Sequence, residues 1–350
     1  ALCVAAGPTP APVFVCSVTA TETDAILREF YSAAGGVNWY TNTNWLTGSY
    51  CTWHGVTCAA DGISVTKLRL SQNGLVGTVP ASLSNLCTLN VLDISENVLT
   101  GPVDTFKPLK QLSALLLGPR KLTTVCVFPY QGPGMEDCLG FPDGGTMEGA
   151  YSPTRANEFT GDFFDTMTNL PDLVDMTLTG TSVYGSLDER LCKLTKLEFL
   201  HFVIVANTTG FLPECFGTAI PNLRVFLITN SHVGGTLPKS ISHMQKLEQL
   251  GLSFNKFEGQ IPDFGPALMQ LFVNDNKLSG TLPEGQPWVC NDEGGLYPNR
   301  KCNRLESFLA YTNNITGTLP SSYAQMKNFK YLWISDNKLT GTIPDRKSVV

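Results

Sequence analysis

The chain has 350 residues, 43% of them hydrophobic and only 15% charged, which is ample for a packed core. Its formal charge of -6 and the lack of any long basic run argue against nucleic acid and anionic membrane as partners. No apolar run approaches the roughly 18 residues that a membrane span requires.

Residues 1–22 begin without an initiator Met, as expected of a processed secretory protein. They include the Pro/Thr-rich stretch "GPTPAPVFVCSVTATET", which reads as an extended arm, either a carrier of O-glycans or a plain disordered tail. From Val65 the chain becomes self-similar. Copies of one motif start at Val65, Leu89, Leu112, Leu173, Leu197, Leu223, Leu247, Leu268, Leu305 and Phe329, at intervals of 24, 23, 61, 24, 26, 24, 21, 37 and 24. The shared pattern is LxxLxLxxNxLxGxxP, clear in "LEQLGLSFNKFEGQIP" (Leu247 to Pro262) and "FKYLWISDNKLTGTIP" (Phe329 to Pro344). A period in the twenties with this pattern is that of a leucine-rich repeat.

Each conserved type within the motif answers a physical need. LxLxx is a short strand with alternate residues inward, laid beside the strand of the preceding copy in a parallel ribbon. Asn73, Asn97, Asn255, Asn276, Asn313 and Asn337 sit where the chain leaves the strand, and an amide with both donors and acceptors bridges the otherwise unpaired backbone of neighbouring turns. Glycines such as Gly77 and Gly259 suit a close backbone approach or positive φ, and prolines such as Pro80 and Pro262 fix φ before the return segment. Thr181 and Val205 occupy the Asn slot in the fourth and fifth copies, where the ladder is expected to be irregular.

The "LxGxIP" signature, as in "KLTGTIP" and "KFEGQIP", resembles the plant-type extracellular leucine-rich repeat family of receptor ectodomains, secreted polygalacturonase inhibitors and protist surface proteins. The resemblance spans about Asp24 to Pro344. Residues 23–64, containing "ILREFYSAAGGVNWYTNTNWLTGSYCTWHGVTC", look like that family's amino-terminal cap, with an amphipathic helix, Trp residues and a CxWxGVxC box at Cys51 to Cys58. The expected fold is therefore an α/β solenoid, a leucine-rich repeat superhelix of about ten repeats with a parallel β-ribbon on its concave face. The solenoid fills residues 65–350, with insertions at 118–156 and 284–303. The first insertion resembles the island insertions that help some receptors of the family hold ligand.

Eleven cysteines point to an oxidising compartment, and so to an extracellular or cell-surface protein of the secretory pathway. Local pairs are expected for Cys51 with Cys58 in the cap box, Cys126 with Cys138 in the first insertion and Cys290 with Cys302 in the second. Cys192 and Cys215 fall at offsets 19 and 18 of consecutive repeats, so stacking brings them within bridging distance. Cys3 and Cys16 are placed to close an amino-terminal loop, which leaves Cys87 over and open to a link between chains. Asn207 in "NTT" and Asn314 in "NIT" are acceptor sequons for N-glycans.

Function is expected on the strand ribbon, the long face that stacking leaves open. The residue between the inward leucines of successive strands is Arg69, Asp93, Leu116, Thr177, His201, Leu227, Gly251, Phe272, Leu309 and Trp333. This column passes from charged to apolar, with Phe199, Val203, Val225, Tyr311 and Tyr331 flanking it. An exposed apolar patch with aromatic anchors predicts a partner. The binding residues expected are Phe199, His201, Leu227, Phe272, Leu309, Tyr311, Tyr331 and Trp333, and the ligand a protein, peptide or glycan. None of the four histidines lies in a nucleophile, metal or phosphate motif, so neither catalysis nor a cofactor is expected. The alternative is a self-assembling subunit of an extracellular fibre or coat. That reading rests on "IPDRKSVV", which brings no closing cap, so that further sequence or another molecule is expected to cover the core there.

Overall fold

A computed structural model describes residues 18–118, 157–179, 182–203, 207–284, 304–326 and 328–344. Helix α1 (Ala20–Ala33) starts on a reciprocal cap. Thr19 Oγ1 accepts from the Glu22 amide, and the Glu22 carboxylate accepts from the Thr19 amide at 2.8 Å. Residues 18–22, assigned from sequence to the arm, therefore belong to the cap, because the Thr-x-x-Glu signature starts the helix earlier than residue 23. Four rings close the cap, with Tyr31 stacked on Trp45 and Trp45 in contact with both Trp39 and Trp53. Each indole N–H reaches a carbonyl, Ala34 for Trp39, His54 for Trp45 and Thr47 for Trp53, so none is buried unpaired.

The cysteine box adds strand β1 (Val56–Cys58), which pairs antiparallel with β2 (Val65–Arg69) and opens the main sheet. The first half of the solenoid then runs β3 (Val76–Thr78), β4 (Val91–Asp93), β5 (Val98–Pro102), β6 (Ala114–Leu116), β7 (Glu158–Asp162), α2 (Phe163–Thr168), β8 (Asp175–Thr179), β9 (Ser182–Leu187), β10 (Phe199–Val203), β11 (Asn207–Gly210) and α3 (Phe216–Ala219). The second half comprises β12 (Val225–Thr229), β13 (Gly234–Thr236), β14 (Gln249–Gly251), β15 (Lys256–Gln260), β16 (Gln270–Phe272), β17 (Lys277–Thr281), β18 (Ser307–Leu309), β19 (Asn314–Gly317), β20 (Tyr331–Trp333) and β21 (Lys338–Leu339).

The main sheet has 11 strands in the order β1-β2-β4-β6-β8-β10-β12-β14-β16-β18-β20, all parallel beyond the first pair. Its inward leucines and phenylalanines, from Leu68 to Phe308, form one continuous core. The "LxGxxP" segments, read from sequence only as turns, also pair, giving two lateral five-stranded sheets, β3-β5-β7-β9-β11 and β13-β15-β17-β19-β21. These lateral strands are stepped, so that Gly235 lies opposite Phe257 and Gly259 opposite Leu278 instead of glycine beside glycine. Threonine hydroxyls reinforce the step by donating to glycine carbonyls of the preceding repeat, Thr100 to Gly77, Thr316 to Gly280 and Thr340 to Gly317 at 3.1–3.3 Å.

The asparagine ladder has the expected role. Asn97 accepts from the Asn73 and Leu75 amides through Oδ1 and donates through Nδ2 to the carbonyls of Leu70, Ile94 and Ser95. Asn157 resumes the ladder after the first insertion, accepting from Leu99 and donating to Ile94 and Leu117. Thr181 and Val205 lie outside the described residues. Immediately before the ladder slot, Gln72, Glu96, Phe254, Asp275, Thr312 and Asp336 all take a left-handed backbone, φ 51° to 56°. This conformation costs a non-glycine residue roughly 1–2 kcal/mol, and the multiple bonds of the following Asn hold it in place.

Cys51–Cys58 and Cys192–Cys215 are disulfides, the second joining consecutive repeats with Cα atoms 6.1 Å apart. Cys87, expected to be left over, is disulfide-bonded, so it is not available for a covalent link to another chain. Cys3, Cys16, Cys126, Cys138, Cys290 and Cys302 lie outside the described residues, as do both insertions except Gly118 and Glu284 at their edges.

Candidate binding face

The concave column is unbroken. Arg69 pairs with Asp93, Asp93 with Leu116, Leu116 with Thr177, Thr177 with His201, and His201 with Leu227. Leu227 in turn meets Gly251, followed by Phe272, Leu309 and Trp333. One repeat offset thus converts ten scattered residues into a single row, because every strand is laid parallel and in register on the last.

The exposure expected for the apolar part of this row is not found between Leu227 and Leu309. Leu227 is 1% exposed, Phe272 4%, and Leu309, Tyr311 and His201 8% each. Parallel strands stand only about 4.8 Å apart, less than the width of these side chains, so each shields the next. Leu227 also leans over Gly251, whose missing Cβ would fall 2.6 Å from Leu227 Cδ2. Phe272, Leu309 and Tyr311 accordingly make a small apolar cluster of their own, separate from the main core, with the half-buried Trp333 packed against it. The rings of Tyr311 and Trp333 are tilted by 51° with centroids 6.3 Å apart.

One flank of the row is more open. Tyr331, Gln249, Gln270 and Phe199 are half-buried, and the Arg224 guanidinium lies 5.4 Å from the Phe199 ring centre while pairing with Glu248 at 3.1 Å. The other flank is closed: Ser253 and Asn274 are buried, with Ser253 donating to Asn274 Oδ1 at 2.6 Å and Asn274 donating to Asp275 at 2.8 Å. Of the expected binding residues, Trp333, Tyr331 and Phe199 therefore offer accessible surface, whereas Leu227, Phe272, Leu309, Tyr311 and His201 support it from beneath. Sequence alternation placed the amides Gln249, Gln270 and Asn274 on this face too, but a search for apolar anchors passed over them.

Tyr311 is the titrating group whose environment is most altered here. Desolvation, with the neighbouring Asp275 carboxylate adding to it, pushes its phenol up from 10.0 to about 12. A phenol that holds its proton more tightly in the folded state stabilises that state until pH exceeds the unfolded value, after which the contribution is lost. Stability is expected to fall between pH 10.0 and about 12, and Tyr311→Phe is expected to flatten part of that fall in thermal unfolding across alkaline buffers.

A family model described as Leucine Rich Repeat matches residues 64–86 and 328–346, the first and last complete copies of the motif. With the stacked strands, the asparagine ladder and the cap already in place, this decides the fold. The chain is a leucine-rich repeat solenoid. It is similar to the receptor-like kinase TMK2 of Arabidopsis thaliana, 24% identical over 254 residues that cover 69% of this chain and 26% of that protein. It is also similar to the Arabidopsis receptor-like protein 18, 25% identical over 80% of this chain and 33% of that protein. The leucine-rich repeat chain thus spans about a quarter to a third of these relatives. Among solved structures, a plant ice-binding protein superposes with a TM-score of 0.68 at 19% identity, over 93% of this chain and 89% of that one. The structure of PEPR1-AtPEP1 superposes at 0.65 and 23% identity, over 93% of this chain and 43% of that one. Both likenesses are of fold. No helix among the described residues of the leucine-rich repeat chain is long and apolar enough to cross a membrane.

Proposed function

We propose that this chain is the recognition module of an extracellular or cell-surface protein and holds its partner on the concave ribbon between β10 and β20. The observation that carries the reading is the register-matched column, which ends in a half-buried Trp333 and Tyr331 over a preformed apolar floor of Phe272, Leu309 and Tyr311. A rigid floor beneath accessible aromatic anchors favours binding, because little side-chain freedom is lost when a partner arrives. Relatives with receptor names and neighbours such as "Plant peptide hormone receptor RGFR1 in complex with RGF2" support ligand binding as the work of this fold. The module acts by holding and not by chemistry.

Native partners captured from the extracellular fluid of the source cells, or displayed on a secretome library, provide the test. Trp333→Ala is expected to weaken capture by about ten- to thirtyfold, the loss of roughly 1.5–2 kcal/mol from one anchor. Unchanged binding would move the site off this face.

The same reading places glycans on the chain. Asn207 and Asn314 are exposed, each opening a strand of a lateral sheet, opposite Tyr184 and Ser279 respectively. Both lie in lateral sheets and not in the sheet that carries the concave column. Material from a secreting eukaryotic host is expected to lose mass at both sites on glycosidase treatment, and peptides retaining unmodified Asn207 and Asn314 would count against passage through a glycosylating secretory pathway.

A further inference from the structure

The recognition reading leaves the chemistry of the partner open, and the charge pattern of the ribbon narrows it. Along β2, β4 and β8 the concave positions include Lys67, Arg69, Asp93 and Asp175. Along β12, β14, β16, β18 and β20 no outward position carries a charge: Val225 and Leu227, Gln249 and Gly251, Gln270 and Phe272, Ser307 and Leu309, Tyr331 and Trp333. Two basic residues next to these strands are met by carboxylates. Arg224 pairs with Glu248 and Lys330 with Glu306, and the Asp275 carboxylate accepts from Asn274. A peptide's terminal carboxylate or acidic side chain, or an acidic sugar, wants Arg or Lys at its contact, and the outward positions of these five strands present neither.

What it does present is amide and hydroxyl groups beside aromatic rings. Gln270 Oε1 is a buried acceptor with no hydrogen-bond partner, and so is the hydroxyl of Thr229, a residue 0% exposed. Buried polar atoms are nearly always paired, and because Gln270 is only half-buried, a turn of its carboxamide that brings this oxygen to the surface gives it a donor from outside the chain. Two strands away, Trp333 and Tyr311 form a tilted pair, with the Trp333 ring only partly covered.

We propose that the carboxy-terminal half of the concave ribbon binds a neutral oligosaccharide. The C–H face of one sugar ring packs on Trp333, and a hydroxyl of the same chain donates to Gln270 Oε1. A sugar suits this surface on three counts. It carries no charge to leave unpaired, its hydroxyls match carboxamides that both donate and accept, and its ring faces suit side chains with an apolar body and a polar edge. The proposal rests on the recognition reading above, and the experiment separates the two.

The folded chain is titrated calorimetrically with neutral β-linked gluco-, xylo- and manno-oligosaccharides, with an acidic oligogalacturonide, and with a panel of extended peptides. One of the neutral oligosaccharides is expected to bind, with an affinity that changes by less than about twofold between roughly 0.05 and 0.5 M salt, since no ion pair is made. Trp333→Ala is expected to weaken that binding by about tenfold or more. Gln270→Leu, which keeps the side-chain volume and removes the acceptor, is expected to weaken it by about fivefold or more while leaving the melting temperature unchanged or raised, because an unpaired buried acceptor has gone. A Gln270 with a merely structural role would shift melting and leave binding alone, which overturns the assignment of that residue. Preference for the oligogalacturonide with steep salt dependence overturns the neutral-ligand proposal. If a peptide binds and loses affinity in Trp333→Ala while no sugar binds, the sugar is wrong and concave recognition stands. If no probe shows Trp333-dependent binding, both fall.

Discussion

Asn97→Leu is expected to lower the unfolding free energy by about 3–5 kcal/mol, although it adds apolar volume to an apolar interior. The side chain is 1% exposed and holds two amides of the preceding turn, Asn73 and Leu75, together with the Leu70 carbonyl of the preceding strand. Leucine fills the space but leaves those groups facing each other without a partner, at about 1–3 kcal/mol for each buried group that cannot reach water. It also removes the bonds that hold Glu96 in its left-handed backbone. Asn169→Ala is the control, because its amide donates to the Asp165 carbonyl at the surface, and a change within about 0.5–1 kcal/mol is expected there. Urea midpoints read by far-ultraviolet dichroism decide the comparison. A loss below about 1 kcal/mol for Asn97→Leu would mean that the turn re-pairs without its amide, and the ladder would then be a consequence of the stack and not one of its causes.

Phe308→Ala is expected to cost about 3–5 kcal/mol by leaving a cavity in the core, whereas Trp333→Ala, one strand away, costs no more than about 1.5 kcal/mol. Phe308 is 0% exposed, pairs with Leu332 and packs near Tyr323. Its neighbour Leu309 pairs with Trp333 on the opposite face. The two substitutions therefore test the register of the ribbon directly, because a slip of one residue exchanges every inward and outward side chain. Thermal unfolding of both variants gives the answer, and equal losses would sink the assignment of the concave face. The intermediate burial of Trp333 sets its cost above that of a surface residue and below that of a core one.

These two expectations also mark the boundary between what one repeat can say and what only the stack can. Asn97 was legible because the ladder slot recurs at the repeat period, and a recurring polar residue at the end of an apolar strand has one physical use. The same periodicity made Phe308 inward and Trp333 outward, and the offsets of Cys192 and Cys215 placed them one above the other. Burial of the concave row followed a different rule. Phe272, Leu309 and Tyr311 alternate outward as expected, yet they are covered because their neighbours in adjacent repeats are wide enough to fill the narrow gap between strands.

The number and spacing of the repeats, the inward leucines and the ladder were legible from the residues alone, since each depends on an interaction whose partner lies one period away, and the cap was legible because its contacts are local. Only the stacked structure settles the lateral sheets and their stepped register, the left-handed residues before six of the ladder amides, the strand that the cap adds to the main sheet and the pairing of Cys87. It also decided which aromatic residues of the concave face stay accessible. Those outcomes depend on the volumes and backbone positions of several repeats at once, and a motif read one copy at a time contains no term for how copies crowd one another.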